Sequence, residues 1–385
     1  MIAREIEKEV LSIANQYPVV LITGARQTGK TTLAQRCFPQ MQYINLEDPG
    51  HSNAASYDPV GFINNLKGGA IIDEIQKVPS LLSSIQVEVD RTRINGQFIL
   101  TGSNQFSLLE TVTQTLAGRV GIIKLLPLTI AETKLFGINY NVNEYILNGF
   151  YPGIYNNKTE PYKAYRNYFE TYIERDLRQL INIKDLKKFQ LFIRLCAGRI
   201  GQLFNASNLS NEVGVSVPTI QNWVSVLEAS FIVFFLQPWY SNINKRLVKS
   251  SKLYFLDVGL ANYLLGNENT RHIEIHPLRG ALFENLVVNE LLKQRFNRGL
   301  DNNLYFYRDN HQNEVDILAR NGNQFDIYEI KISETFHADF LKGLSYLSFL
   351  IPNQIKNKYL VYTGSNEFEL QKNRIINFCN TGKVE

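Results

Sequence analysis

Cysteine is nearly absent from this chain: Cys37, Cys196 and Cys379 are three in number and far apart. That excludes a disulfide framework and the paired spacing of a zinc site, and it suits a reducing compartment. Long apolar runs are missing too. The longest, "SFIVFFLQPWY", falls well short of the roughly 18 residues of a membrane span and contains Pro238. The N-terminal "MIAREIEKEVLSIANQY" reads as an amphipathic helix with interspersed charges, without the apolar centre of a signal peptide. A soluble, cytoplasmic protein with no membrane contact is therefore expected. No strong charge of one sign is present. The net charge of +4 is compatible with nucleic acid but too weak to argue for it. Histidine is sparse. His272 and His276 have i, i+4 spacing, but "HIEIHP" alternates like a strand and ends at Pro277, which argues against a helical zinc pair. Internal repeats and low-complexity tracts are absent. What remains is an ordinary globular composition in 385 residues, enough for two or three domains.

The first informative stretch is "PVVLITGARQTGKTTLAQRCF". The apolar run Val19 to Ile22 suits a buried parallel strand. Gly24-x4-Gly29-Lys30-Thr31 follows, and then a helical pattern begins. This is a phosphate-binding loop in its required context of strand, loop and helix. Glycines let backbone N–H groups turn toward phosphate oxygens, and the helix N-terminus adds a partial positive charge. The expected nucleotide-binding set is Gly24, Ala25, Arg26, Gln27, Thr28, Gly29, Lys30, Thr31 and Thr32. Lys30 would reach the β- and γ-phosphates of ATP, and Thr31 would ligate Mg²⁺.

"GGAIIDEIQ" supplies a second short strand ending in Asp73-Glu74. Asp73 is placed to hold Mg²⁺ through water, and Glu74 to orient and deprotonate an attacking water. An acidic helix cap is the plainer alternative. "QFILTGSNQ" reads as a third strand ending in polar residues, so Ser103 or Asn104 would touch the γ-phosphate or position the water, unless they form a polar turn. In "TLAGRVGIIKL", Arg119 precedes a predicted strand. It is a candidate arginine finger, acting on a neighbouring subunit, or else a salt-bridged surface residue.

In this order the motifs resemble the core of AAA+ ATPases. More narrowly, "TGARQTGKTT", "IIDEIQ", "LTGSN" and "LAGRV…LLPL" resemble a family of bacterial and archaeal ATPases that carry a nuclease-like C-terminal domain of unknown function. The resemblance covers nearly the whole chain. It implies an α/β N-terminal P-loop sheet with flanking helices over residues 1–137. No long helical lid follows obviously, which leaves a homo-oligomeric ring open.

Residues 138–250 are expected to form a helical and winged-helix region. "PYKAYRNYFETYIERDLRQLIN" (161–182) reads as one long amphipathic helix whose Tyr165, Tyr168, Phe169 and Tyr172 are packing residues. Glu174, Arg175 and Asp176 in it would form a salt-bridge network. Further on, Asn208 would cap a short helix, Gly214 suits the turn, and Pro218 sits early in a second helix. That second helix holds no Lys or Arg, which counts against strong groove binding and favours a protein partner. "SNINKRLVKSSK" carries Lys245, Arg246, Lys249 and Lys252 without an acid, a better candidate for DNA phosphate contacts, or else a solvated basic loop.

Residues 251–385 are expected to form the third domain. "RGALFENLVVNELLKQRF" (279–296) is an amphipathic helix, "NLYFYRD" a strand, and "NEVDILARNGNQFDIYEIKIS" a hairpin. With Asn321-Gly322 as the loop, Asp316 is diagonal to Glu329; with Gly322-Asn323, it is directly opposite. Either register puts both carboxylates on one face, roughly 5–8 Å apart, with Lys331 beside them. Glu in a helix, Asp on a strand and Glu-x-Lys on the next resembles the PD-(D/E)xK, restriction-endonuclease-like nucleases, although Val315 stands where that family has proline. The resemblance implies that Glu284, Asp316 and Glu329 hold Mg²⁺ and that Lys331 acts on the water or the phosphorane. Cross-strand ion pairs such as Glu314–Lys331 in a fold kept for structure are the alternative. Two functions follow: an ATPase whose cycle gates a nuclease, or an ATP-driven switch whose nuclease-like domain only binds.

Overall fold

A computed structural model describes residues 2–66, 68–102, 105–177, 185–239 and 250–383. The chain divides into two units: Met1–Leu128 with 229–231 and 295–300, and the remaining residues from Thr129 to Glu385. No helix among the described residues is long and apolar enough to cross a membrane.

In the first unit β1 (Val19–Thr23), β2 (Gln42–Asn45), β3 (Ala70–Asp73), β4 (Phe98–Gly102) and β5 (Val120–Lys124) form one parallel sheet in the order β2-β3-β4-β1-β5. β1, β3 and β4 are buried along their full length, which is why they read as continuous apolar runs. Successive side chains point to opposite faces. Val19, Leu21, Ile72 and Leu100 pack with Leu81, Ile85 and Val89 of the helix Leu81–Thr92. Val20, Ile22, Ile71 and Ile99 pack on the other face with Val10 and Leu33, from the helices Glu7–Ala14 and Lys30–Cys37. All five strands end at the same edge, where α/β sheets take their ligands.

The second unit is built on an eight-stranded mixed sheet. Its strands are β6 (Val233–Pro238), β7 (Lys252–Phe255), β8 (Leu304–Arg308), β9 (Glu314–Asn321), β10 (Gln324–Lys331), β11 (Ile355–Tyr362), β12 (Phe368–Leu370) and β13 (Asn373–Asn377). The order is β12-β13-β11-β10-β9-β8-β6-β7. β8, β9 and β10 form an antiparallel meander, and β11 runs parallel to β10 after the helix Lys342–Leu350. The boundary expected at 250 falls between β6 and β7, which pair with each other and join this sheet through β8.

Several local expectations are corrected. The helix expected over 161–182 is α-helical only over Pro161–Tyr168 and continues as π-helical turns over Phe169–Leu177. Its Tyr165, Tyr168, Phe169 and Tyr172 are buried as packing residues. The side chains of Glu174, Arg175 and Asp176 lie outside the described residues. The helix cap is Asn205, whose side chain accepts from the Asn208 backbone, so the helix Ala206–Val213 starts earlier than expected. Gly214 ends it at φ +71°, and Pro218 lies in the first turn of the helix Val217–Ala229. Residues 270–275 are a helix, not a strand, because the Asn269 side chain caps the His272 N–H. The helix Arg279–Asn297 is buried on nearly all sides rather than along one stripe. Its Asn285 explains why it tolerates this: the amide both accepts from Phe255 N (2.8 Å) and donates to Phe255 O (3.0 Å), closing the free edge of β7.

Candidate functional site

At the ends of β1, β3 and β4 the sequence-distant pieces of a nucleotide site meet. The loop after β1 carries two glycines in conformations other residues avoid, Gly24 at φ +152° and Gly29 at φ +91°. A Cβ on Gly24 would lie 2.2 Å from the Leu125 carbonyl oxygen, so that position accepts no side chain. Gln27 adopts φ +64° and lies between Arg26 and Thr28, whose hydroxyl bonds the Ala25 carbonyl at 2.9 Å. Arg4 braces the loop from beneath, donating to Thr28 O (2.9 Å) and Leu126 O (2.8 Å). Lys30 opens the helix, with Thr31 and Thr32 in its first turn. The buried Lys30 ammonium is held by the carbonyls of Gly24 (3.1 Å) and Ala25 (2.8 Å). Burial pushes its pKa down to about 8, against the opposing pull of Glu74 and Asp73.

Asp73, at the end of β3, accepts from the Thr31 hydroxyl at 3.1 and 2.9 Å. It also accepts from Tyr43 (2.8 Å) and from Thr101. Thr101, next to last in β4, further accepts from the Glu74 backbone N–H at 3.3 Å. Glu74 takes the left-handed conformation, φ +57°, which costs a non-glycine residue about 1–3 kcal/mol. Its carboxylate accepts from the Gln76 amide. Thr31 and Asp73 are thus an adjacent hydroxyl and carboxylate of the kind that shares Mg²⁺ in P-loop proteins, and the residues present fit Mg–ATP.

Ser103 and Asn104 lie outside the described residues. Thr101, Tyr43 and Gln76 are additions to the expected site: Thr101 and Gln76 lie inside the motifs "QFILTGSNQ" and "GGAIIDEIQ", whereas Tyr43 lies five residues beyond Phe38, in no motif. Arg119 is bonded to Asp90 at 2.5 and 2.8 Å, as the salt-bridged alternative has it.

In the second unit the hairpin takes the Gly322-Asn323 loop, with Asn321 opposite Gln324 and Ile317 opposite Tyr328. Gly322 has φ +62°, which suits the first position of a type II′ turn. That register brings Asp316 level with Glu329. The Asp316 carboxylate accepts from Ile330 N at 2.8 Å, and Lys331 Nζ lies 3.7 Å away. Lys331 bonds Glu329 Oε1 at 2.7 Å. The other Glu329 oxygen is buried without a hydrogen-bond partner. Burial and then Asp316 push the Glu329 carboxyl up to about 8. Lys331 is pulled down by burial, but Asp316 and Glu329 outweigh that and raise it.

Glu284 lies beside this group, yet it faces a cation from elsewhere. Lys252 Nζ is 3.1 Å from Glu284 Oε1 and 2.5 Å from Glu314 Oε1. Tyr254 donates to the same Glu284 oxygen. Arg308 reaches Glu314 at 3.4 Å, so Glu314 pairs with Lys252 and Arg308 rather than Lys331. Lys252 was expected in an exposed basic loop; it is only 3% exposed, because β7 turns it and Tyr254 toward one face. Lys245, Arg246 and Lys249 lie outside the described residues. Among the described residues no three His, Cys, Asp or Glu side chains form a group that could hold a metal ion. The Glu284, Asp316 and Glu329 set is therefore engaged by ammonium groups and, as it stands, does not fit a divalent ion.

Comparison with known proteins agrees with the nucleotide site. Residues 16–134 match the family described as AAA domain, 139–271 a domain of unknown function (DUF8612), and 279–381 a domain of unknown function (DUF4143). Among solved structures, the Walker-type ATPase paby2304 of Pyrococcus abyssi is similar at a TM-score of 0.47 and 16% identity, covering 68% of this chain and 94% of that one. A Haemophilus influenzae protein is 25% identical over 332 residues, 77% of this chain and 80% of its own. The protein Rv2008c of Mycobacterium tuberculosis is 31% identical over 361 residues, 92% of this chain and 79% of its own. The chain belongs to the same family as that mycobacterial protein, and it carries the family's AAA-type P-loop ATPase domain at its N-terminal end.

Proposed function

We propose that the protein is an ATP-hydrolysing switch whose nucleotide cycle acts on a nuclease-fold domain used for binding. The observation that carries it is Asp73, held by Thr31, Tyr43 and Thr101 beside a glutamate in a strained conformation. Lys30 would exchange the carbonyls of Gly24 and Ala25 for phosphate oxygens and favour charge building on them. Glu74, presented by its left-handed backbone and steadied by Gln76, would orient the attacking water and accept its proton. A magnesium ion shared by Thr31 and Asp73 would neutralise the phosphates. The test is ATP turnover: Glu74→Gln should retain ATP and lose hydrolysis, and undiminished hydrolysis would sink the assignment.

The binding role of the second unit is supported by the ion pairs at Lys252 and Lys331, which set an ammonium against each of Glu284, Asp316 and Glu329. The order helix Leu186–Ala197, bridge at Leu203, two helices, then β6 and β7 follows a winged helix. Its second helix exposes Gln221 and Asn222 and has no Lys or Arg, so we assign it a protein partner. A metal-dependent nuclease is the second reading, favoured by Glu284, Asp316, Glu329 and Lys331 sharing one locality. Incubation with DNA and RNA, with Mg²⁺ or Mn²⁺ and with or without ATP, separates the two. Cleavage lost in both Asp316→Ala and Glu329→Ala would establish the nuclease.

A further inference from the structure

We propose that Lys252 is the resident cation of the second unit's carboxylate cluster, standing where a divalent ion would stand and keeping the cluster free of metal. The inference rests on the nuclease-fold reading for the role of these carboxylates, but its geometry does not. The Lys252 ammonium lies between Glu284 Oε1 (3.1 Å) and Glu314 Oε1 (2.5 Å), two acids from different elements. It is walled off by the Phe306 ring, 5.4 Å away, and by Tyr254, which shares Glu284. β7 is anchored there by Asn285, the neighbour of Glu284, through both polar groups of Phe255. The strand that carries Lys252 is therefore fixed, and the side chain is confined by its own burial.

Charge completes the argument. Lys252, Lys331 and Arg308 face Glu284, Glu314, Asp316 and Glu329. A divalent ion added to this set would meet two ammonium groups at close range, and repulsion between like charges in a buried site is strong. It would also find one oxygen of each acid already taken, Glu284 Oε1 by Lys252 and Tyr254 and Asp316 Oδ2 by Ile330 N and Lys331. Three cations already stand against four acids, which leaves little negative charge for a divalent ion to neutralise.

The experiment uses the full chain without nucleotide, carrying Asp73→Asn to silence the cation ligand of the first unit. Free Mn²⁺ is followed by electron paramagnetic resonance during titration. With Lys252 present, no ion is taken up by the cluster. Lys252→Met takes up one Mn²⁺ per chain, and adding Glu284→Gln abolishes that uptake. Mn²⁺ bound in the presence of Lys252, and lost on Glu284→Gln, overturns the proposal and speaks for the nuclease. A folded Lys252→Met that binds none overturns it as well. Should Lys252→Met not fold in buffer, it is refolded with and without Mn²⁺. Recovery with the ion alone supports the proposal, and equal failure overturns it. Absent ATP hydrolysis in the parent chain would defeat the proposed function and leave this titration untouched.

Discussion

Asp73 in the first unit and Asp316 in the second are both buried aspartates with a glutamate close by, but the groups that hold them differ in charge. Asp73 accepts from the hydroxyls of Thr31, Tyr43 and Thr101. Asp316 and its neighbours face the ammonium groups of Lys331 and Lys252. A hydroxyl orients a carboxylate while leaving its charge in place. An ammonium orients it and cancels the charge. A site dressed with hydroxyls is prepared for an incoming cation; one dressed with lysines already has its cation. On the proposed reading the same residue type serves two purposes, and the donors decide which.

The comparison breaks most directly in the first unit. Lys30→Ala should reduce ATP turnover by about 10²–10³-fold, the effect of losing one preorganised charge donor. Glu74→Gln should reduce it by about 10²–10⁴-fold with ATP binding kept, measured by phosphate release and by nucleotide titration. In the second unit the largest effect is on stability. Lys252→Met leaves the half-buried Glu284 without its cation and Glu314 with Arg308 alone; breaking a buried pair costs about 3–5 kcal/mol and an exposed one about 0–1, so about 1–3 kcal/mol is expected here. Thermal unfolding in metal-free buffer reads the loss. A negligible shift would mean that water reaches these acids and the contrast with Asp73 is false.

The contiguous parts of both sites were legible in the sequence. Gly24 to Thr31 is a single loop, and Asp73-Glu74 ends a strand that its apolar run announces. The groups around Asp73 were not, because Tyr43 and Thr101 reach it from β2 and β4, and only the order β2-β3-β4-β1 makes them neighbours. The hairpin left two registers open because Gly322 can serve either turn position; the one formed lets Asp316 bond Ile330 N. Lys252 closes a basic stretch in the sequence, and its acids, Glu284 and Glu314, lie far along the chain. The alternation in "KLYF", which puts Lys252 and Tyr254 on one face of a strand, was the available signal. The strand expected at "HIEIHP" failed because alternation over so few residues carries less weight than the Asn269 cap.

A pH titration sharpens the first half of the comparison. In the nucleotide-free protein the Lys30 pKa is pushed down to about 8 by burial. Phosphate favours the charged form, so the pKa rises when ATP binds. Below pH 8 the ammonium is already present and affinity should be flat. Above pH 8 the free protein loses the proton that binding must restore, and affinity should fall by at most about tenfold per pH unit. Fluorescent-nucleotide titration across this range checks it. Flat affinity would show that the loop carbonyls already offset the burial of Lys30.

The smallest effect tests whether hydroxyl dressing matters for catalysis at all. Tyr43→Phe keeps the ring and removes only the 2.8 Å bond to Asp73, which retains Thr31 and Thr101. One such bond is worth about 1 kcal/mol, so the rate constant should fall about fivefold. The Mg²⁺ concentration for half-maximal rate should rise with it, because the carboxylate that shares the ion is less well aimed. ATP affinity without Mg²⁺ should stay the same, since Lys30 and the loop backbone do not depend on Tyr43. The split is what distinguishes orientation from mere packing: a packing role would move thermal stability and leave the Mg²⁺ dependence alone. If kcat and Mg²⁺ dependence both stay unchanged, Asp73 needs only Thr31 and Thr101, and the Tyr43 hydroxyl simply finds a partner for its own burial.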